Sequence, residues 1–217
     1  MDIDPRNTAL TPIQAACLVA APLALAVGRT QLNLNWDDAP AYLAEMAANP
    51  VSTDLGSLLT LAGSILLIPA VLGLAGIARI RTPRLAAVGG ALAVLGAISG
   101  IVVATTALVG GHIAEQATNA ATAQLWTRIW SDSRVGPPLL IGGIIGFVLL
   151  AVGLFRSGVV SRTAAVLVGV GGVATLVTSV GPVRALVVGS AVLTLVAFGW
   201  IATAVRERQP QLLATRT

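Results

Sequence analysis

Six apolar stretches, at residues 10–28, 55–78, 85–111, 138–155, 163–181 and 183–205, take up most of this 217-residue chain, and no charged side chain lies near the middle of any of them. A helix needs roughly 20 mostly apolar residues to cross about 30 Å of hydrocarbon. With 56% hydrophobic residues, 10% charged residues and a mean hydropathy of +0.89, the chain has more apolar surface than a water-soluble fold of its length can bury. The pattern predicts an all-α fold: a polytopic membrane bundle of six transmembrane helices, with a short amphipathic cap built from the outer segments 29–54 and 112–136. No separate soluble domain fits in the remainder, so residues 1–217 read as one integral membrane domain.

All thirteen basic residues are arginines, and they sort by gap. One set of ends holds nine: Arg6, Arg79, Arg81, Arg84, Arg156, Arg162, Arg206, Arg208 and Arg216. The other holds four: Arg29, Arg128, Arg134 and Arg184. Cytoplasmic loops carry the excess of positive charge, so both termini are expected in the cytoplasm, which agrees with an even number of spans. The absence of lysine beside so much alanine, glycine and valine points to a bacterial chain of the cytoplasmic (inner) membrane. Despite a pI near 11.0, the arginines form no basic face that could follow a phosphate backbone, so nucleic acid is not expected as a partner. Ala24-Leu25-Ala26 is like a signal-peptide cleavage site, yet the leading residues carry Asp2 and Asp4 against Arg6 alone. That balance predicts a retained first span.

Val71–Gly89 and Val152–Gly169 read as similar hairpins about basic turns, which would be a parallel repeat. Gly96 with Gly100, and Gly142 with Gly146, have the four-residue spacing that lets helices approach closely, within the chain or in an oligomer. The lone Cys17 reads as a small packing residue, and no disulfide can form within the chain. Pumps and ion exchangers place ionisable groups at mid-membrane depth, and none is found there. The hydroxyls of residues such as Thr60, Thr105, Thr106 and Thr194 can bond back to their own helices.

Reactive side chains collect in the two outer segments. These hold Trp36, Trp126, Trp130, Tyr42, His112 and six of the nine acids, Asp37, Asp38, Glu45, Asp54, Glu115 and Asp132. In the first, Asp37-Asp38 would cap a short helix with Pro40 in its first turn and Tyr42, Leu43 and Met46 on one face, ended by Asn49-Pro50. Asp54 would be the N-cap of the second span. The second segment reads as helical from Ile113 to Trp130, with Leu125, Trp126, Ile129 and Trp130 to one side. Its tryptophans can lie in an aromatic belt against lipid or line a lid over the bundle. His112 and Glu115, three apart, share a helical face. One histidine with scattered carboxylates is too poor a set for a metal, and no nucleotide or cofactor fingerprint is present, so no metal and no cofactor are expected.

Carboxylates beside aromatic rings fit one chemistry in particular. A carboxylic acid kept protonated in an apolar setting can protonate an alkene or epoxide, and ring faces can stabilise the resulting cation. In size, span number and acid-plus-aromatic content the chain resembles the small bacterial membrane-bound terpene cyclases that act on prenylated indoles and other meroterpenoids, with no motif matched residue by residue. The resemblance implies a lipid-soluble isoprenoid substrate entering from membrane lipid. The candidate acids are Glu115, Asp132, Asp37 and Asp38, and the candidate lining is Trp36, Tyr42, Trp126, Trp130 and His112. The alternative from another class is a non-catalytic accessory, assembly or immunity subunit, a homo-oligomer or the companion of another membrane protein, binding its partner through the same cap.

Overall fold

The computed structural model describes residues 10–32, 39–116, 121, 124–126, 128, 136–177 and 184–214, and among these there is no strand. The helices are α1 (Pro12–Gln31), α2 (Ala39–Ala48), α3 (Pro50–Ala78), α4 (Pro83–Gln116), α5 (Gly136–Ser157), α6 (Arg162–Val177) and α7 (Arg184–Ala214). Four of them, α1, α3, α4 and α5, are long and apolar enough to cross a membrane. The last two contain shorter apolar runs, Arg162–Thr175 and Gly189–Ala204.

Local sequence explains the ends. Thr11 opens α1 with a capping box: the Gln14 N–H donates to Thr11 Oγ1 at 3.2 Å, and the Thr11 N–H donates to Gln14 Oε1 at 3.0 Å. Pro50 cannot continue α2, but its fixed φ suits the first position of the next helix. The pair Asn49-Pro50 therefore both ends α2 and starts α3. This corrects the placement of Asp54, which lies half-buried inside α3 and not at its N-cap, because proline starts the helix earlier. The two basic turns form tight hairpins, at residues 79–82 between α3 and α4 and 158–161 between α5 and α6. Gly158, at φ 64°, supplies the left-handed residue that stops α5. The Ser161 hydroxyl then accepts from the Ala164 N–H at 3.2 Å to begin α6.

The long helices close into a ring. Going round, α1 packs on α3, α3 on α4, α4 on α5, α5 on α6, α6 on α7, and α7 returns to α1, while α3 also reaches α5. Small residues set the closest approaches. A Cβ on Gly28 of α1 would stand 2.7 Å from Thr60 N and 2.8 Å from Gly56 O of α3. One on Gly146 of α5 would collide with the backbone of α4 at Leu92 and Ala93, and one on Gly100 with Ser64 Oγ. Gly142 is looser, its nearest neighbour being Leu95 at 3.6 Å. Leu18, Leu74, Leu150, Leu154, Phe198 and Ile201 fill the interior, with the free thiol of Cys17 buried among them. Around the outside Leu58, Val88, Ile141, Val166 and Val192 are each more than half exposed. An apolar surface of that extent belongs against lipid and not against water.

Several threonine hydroxyls of the spans bond back to their own helices as expected. Thr60 donates to Gly56 O, Thr105 to Ile101 O, Thr106 to Val102 O and Thr194 to Ser190 O. Ser57 differs: it is fully buried and its hydroxyl has no hydrogen-bond partner among the described residues. An orphaned polar group costs free energy, so Ser57→Ala should raise stability, by about 1 kcal/mol. Thermal unfolding in detergent checks this, and a lower midpoint would show that the hydroxyl is bonded after all.

Candidate functional site

The cap starts with the short helix. Tyr42, Leu43 and Met46 lie on one face of α2 and are 1%, 2% and 3% exposed. That face seals a small apolar cluster with Leu32, with Ala107 and Ala114 of α4, and with Trp126. Residues 121, 124–126 and 128 are helical, so the second outer segment is helical where it is described. The Tyr42 and Trp126 rings stack with centroids 5.9 Å apart and planes 19° from parallel. Trp126 rests on Gly110, where even a Cβ would stand 2.6 Å from Cη2 of the indole. Burial pushes the Tyr42 phenol well above its ordinary pKa, so it stays protonated. Trp126, 3% exposed, faces this cluster and not lipid.

The grouping of Leu125 with Trp126 does not hold, since Leu125 is 55% exposed. Neighbouring positions on a helix with 3.6 residues per turn point about 100° apart, so burying one turns the other outward. Glu115 and His112 are both exposed towards the C-terminal end of α4. The His112 Nδ1 lies 3.0 Å from Leu108 O, and because a carbonyl can only accept, Nδ1 carries the proton. Trp36, Asp37, Asp38, Trp130 and Asp132 lie outside the described residues. Among the described residues no cluster of histidine, cysteine, aspartate or glutamate is able to hold a metal. Glu45, half-buried on α2, borders a polar recess at the junction of α1, α2 and α3, where Ser52 Oγ donates to Gln31 Oε1 at 2.9 Å.

A second feature is absent from the sequence reading. α1 runs past residue 28 to Gln31, and this carries Arg29 into the bundle, where it is 8% exposed. Its Nη1 donates to the backbone carbonyl of Thr175 on α6. Arg29 borders an internal cavity of about 30 Å³ to which all six ring helices contribute, through Leu25, Ser64, Gly100, Phe147, Thr175 and Thr194 among others. The Thr175 and Thr194 hydroxyls meet at 3.0 Å. One signal in the sequence pointed to this: Arg29 belongs to the arginine-poor set of ends, where positive charge is disfavoured unless something holds it.

Comparison with protein families, curated proteins and solved structures found no match to the chain. Its class therefore rests on the fold: an all-helical bundle with an apolar outer surface and four helices fit to cross a membrane.

Proposed function

We propose that this chain is a six-span protein of the bacterial cytoplasmic membrane, with both termini inside. We propose further that it acts without catalysis, as an accessory, assembly or immunity subunit that holds a partner through its outer cap. Closure of the ring supports six spans, since α6 and α7 occupy the same rank around it as the four helices long and apolar enough to cross a membrane. Withdrawing Arg29 into the bundle leaves Arg128, Arg134 and Arg184 at the outer ends against nine arginines at the inner ones, a stronger bias than the raw count.

One observation carries the non-catalytic reading: the cap's described aromatic side chains, Tyr42 and Trp126, are closed on each other. Tyr42 stacks on Trp126, which rests on Gly110, and both rings are buried instead of lining an open chamber. The larger hollows, about 330 Å³ beside His112 and about 600 Å³ against Val148 and Val170, are shallow and open to the outside, and the interior cavity beside Arg29, about 30 Å³, is far below the roughly 300–1,000 Å³ typical of small-molecule pockets. What the cap does offer is surface, with Leu125 and Arg128 exposed on it and Val109, His112 and Glu115 exposed on the neighbouring α4. The test is to purify the chain from its native membrane as wild type, as Leu125→Asp with Arg128→Glu, and as the Ser57→Ala control. A stoichiometric companion should accompany the wild type and the control and be lost from the double variant. A chain without a companion, or one whose companion survives the double substitution, would contradict the proposal.

The convergence of both acid-and-aromatic segments at one end of the bundle favours a second reading, proton-initiated terpene cyclisation. It would use Glu115, Asp132 or one of Asp37 and Asp38 as the acid, although Glu115 is exposed and lacks the apolar setting that keeps such an acid protonated. Purified protein given prenylated indoles or epoxy-isoprenoids should then form product. At least one of Glu115→Gln, Asp132→Asn, Asp37→Asn and Asp38→Asn should lose roughly two orders of magnitude in rate. A wild type that turns over none of these substrates removes this reading.

A further inference from the structure

We propose that Arg29 and the internal cavity beside it form a binding site for one carboxylate-sized monoanion. The inference is independent of the cap and of any partner it holds.

A guanidinium is always charged and presents five N–H donors in a planar fork. Arg29 is more than nine-tenths buried, and its hydrogen bond among the described residues goes from Nη1 to a neutral carbonyl, Thr175 O. No carboxylate of the described residues pairs with it. Leu25 and Phe147 make the surroundings largely apolar, and in such a medium the attraction between this cation and an anion is much stronger than in water.

Size and hydrogen bonding then define the ligand. About 30 Å³ exceeds the roughly 10–15 Å³ needed to admit one water, but it excludes anything with several carbons inside the cavity. A carboxylate matches the guanidinium fork with two parallel bonds. Nearby hydroxyls contribute little: Thr194 donates to Ser190 O, and the Thr175 and Thr194 hydroxyls share a hydrogen bond with each other. Arg29 is therefore the principal donor, with the Ser64 hydroxyl on the α3 wall as an auxiliary. The carboxylate can arrive on a free anion or as the head of a fatty acid whose tail leaves the cavity between helices. The chemistry at Arg29 is the same in both cases. If the arginine serves only to cap the last turn of α6, it would bind no anion.

The experiment is equilibrium dialysis of the full chain in detergent with labelled formate and, separately, labelled oleate, in a buffer free of other carboxylates. One saturable site per chain is expected. Arg29→Gln should weaken binding about tenfold or more, the scale of a lost charge-assisted hydrogen bond, and Arg29→Lys should fall between. Equal affinity for the two ligands assigns a free anion, and tighter binding of oleate assigns the lipid. Absence of saturable binding of either, or a Gln variant that binds like wild type, overturns the site. Should Arg29→Gln fail to insert, crystals of the wild type soaked in bromide decide: anomalous density in contact with the guanidinium supports the proposal, and density only elsewhere overturns it.

Discussion

Replacing Gly146 with leucine is expected to prevent recovery of a monodisperse protein, whereas Gly142→Ala should leave yield and thermal midpoint nearly unchanged. The two glycines lie one helical turn apart on α5 but differ in what a side chain would meet. At Gly146 the obstruction is the backbone of α4 at Leu92 and Ala93, which no rotamer change can move aside. At Gly142 the nearest atom is the tip of Leu95, at ordinary contact distance. Overpacking a core typically costs about 1–3 kcal/mol when side chains can adjust. Here α5 itself must retreat, and it is held by α3 and α4 on one side and α6 on the other, so the expected loss is above about 3 kcal/mol. Equal behaviour of the two variants would mean that α4 and α5 do not cross at Gly146.

The second large effect is local. Trp126→Ala should release the cap and leave the bundle intact, at a cost of about 3–5 kcal/mol, the scale for truncating a buried tryptophan. Trp126 fills the space between Tyr42 and Gly110, so without it α2 loses its stacking partner and much of its apolar cover. Hydrogen exchange is the measurement: amides of residues 41–48 should lose protection while those in the middle of α3 keep theirs. Gly110→Leu should reproduce the result by displacing the indole, and should cost much less in a Trp126→Ala background, because both substitutions then break the same contact. Undiminished protection of α2 in Trp126→Ala would show that the aromatic pair does not hold the cap.

Apolar length was legible in the sequence because it needs no partner to interpret. The six stretches correspond to α1 and α3–α7, with differences at the ends set by local chemistry such as Pro50. The buried face of α2 was equally legible, since Tyr42, Leu43 and Met46 repeat at helical spacing. Trp126 was ambiguous for a physical reason: facing lipid and facing a cap both reward an apolar ring, and only Gly110 on a distant segment decides between them. Arg29 was misread for a similar reason. Counting charges by gap treats every arginine at the end of a span as a loop residue, but close packing of Gly28 against α3 carries α1 a turn further and turns Arg29 inward. The candidate acids were found by composition alone, and composition does not distinguish an exposed Glu115 from a buried one.

The most direct test of a six-span protein with its cap outside is a set of topology reporters fused after Arg81, Arg208, Glu45 and Thr122. The arginine bias and the ring predict cytoplasmic signals at Arg81 and Arg208 and periplasmic signals at Glu45 and Thr122. A periplasmic signal at Arg81, or opposite signals at Glu45 and Thr122, would contradict both the orientation and the shared cap.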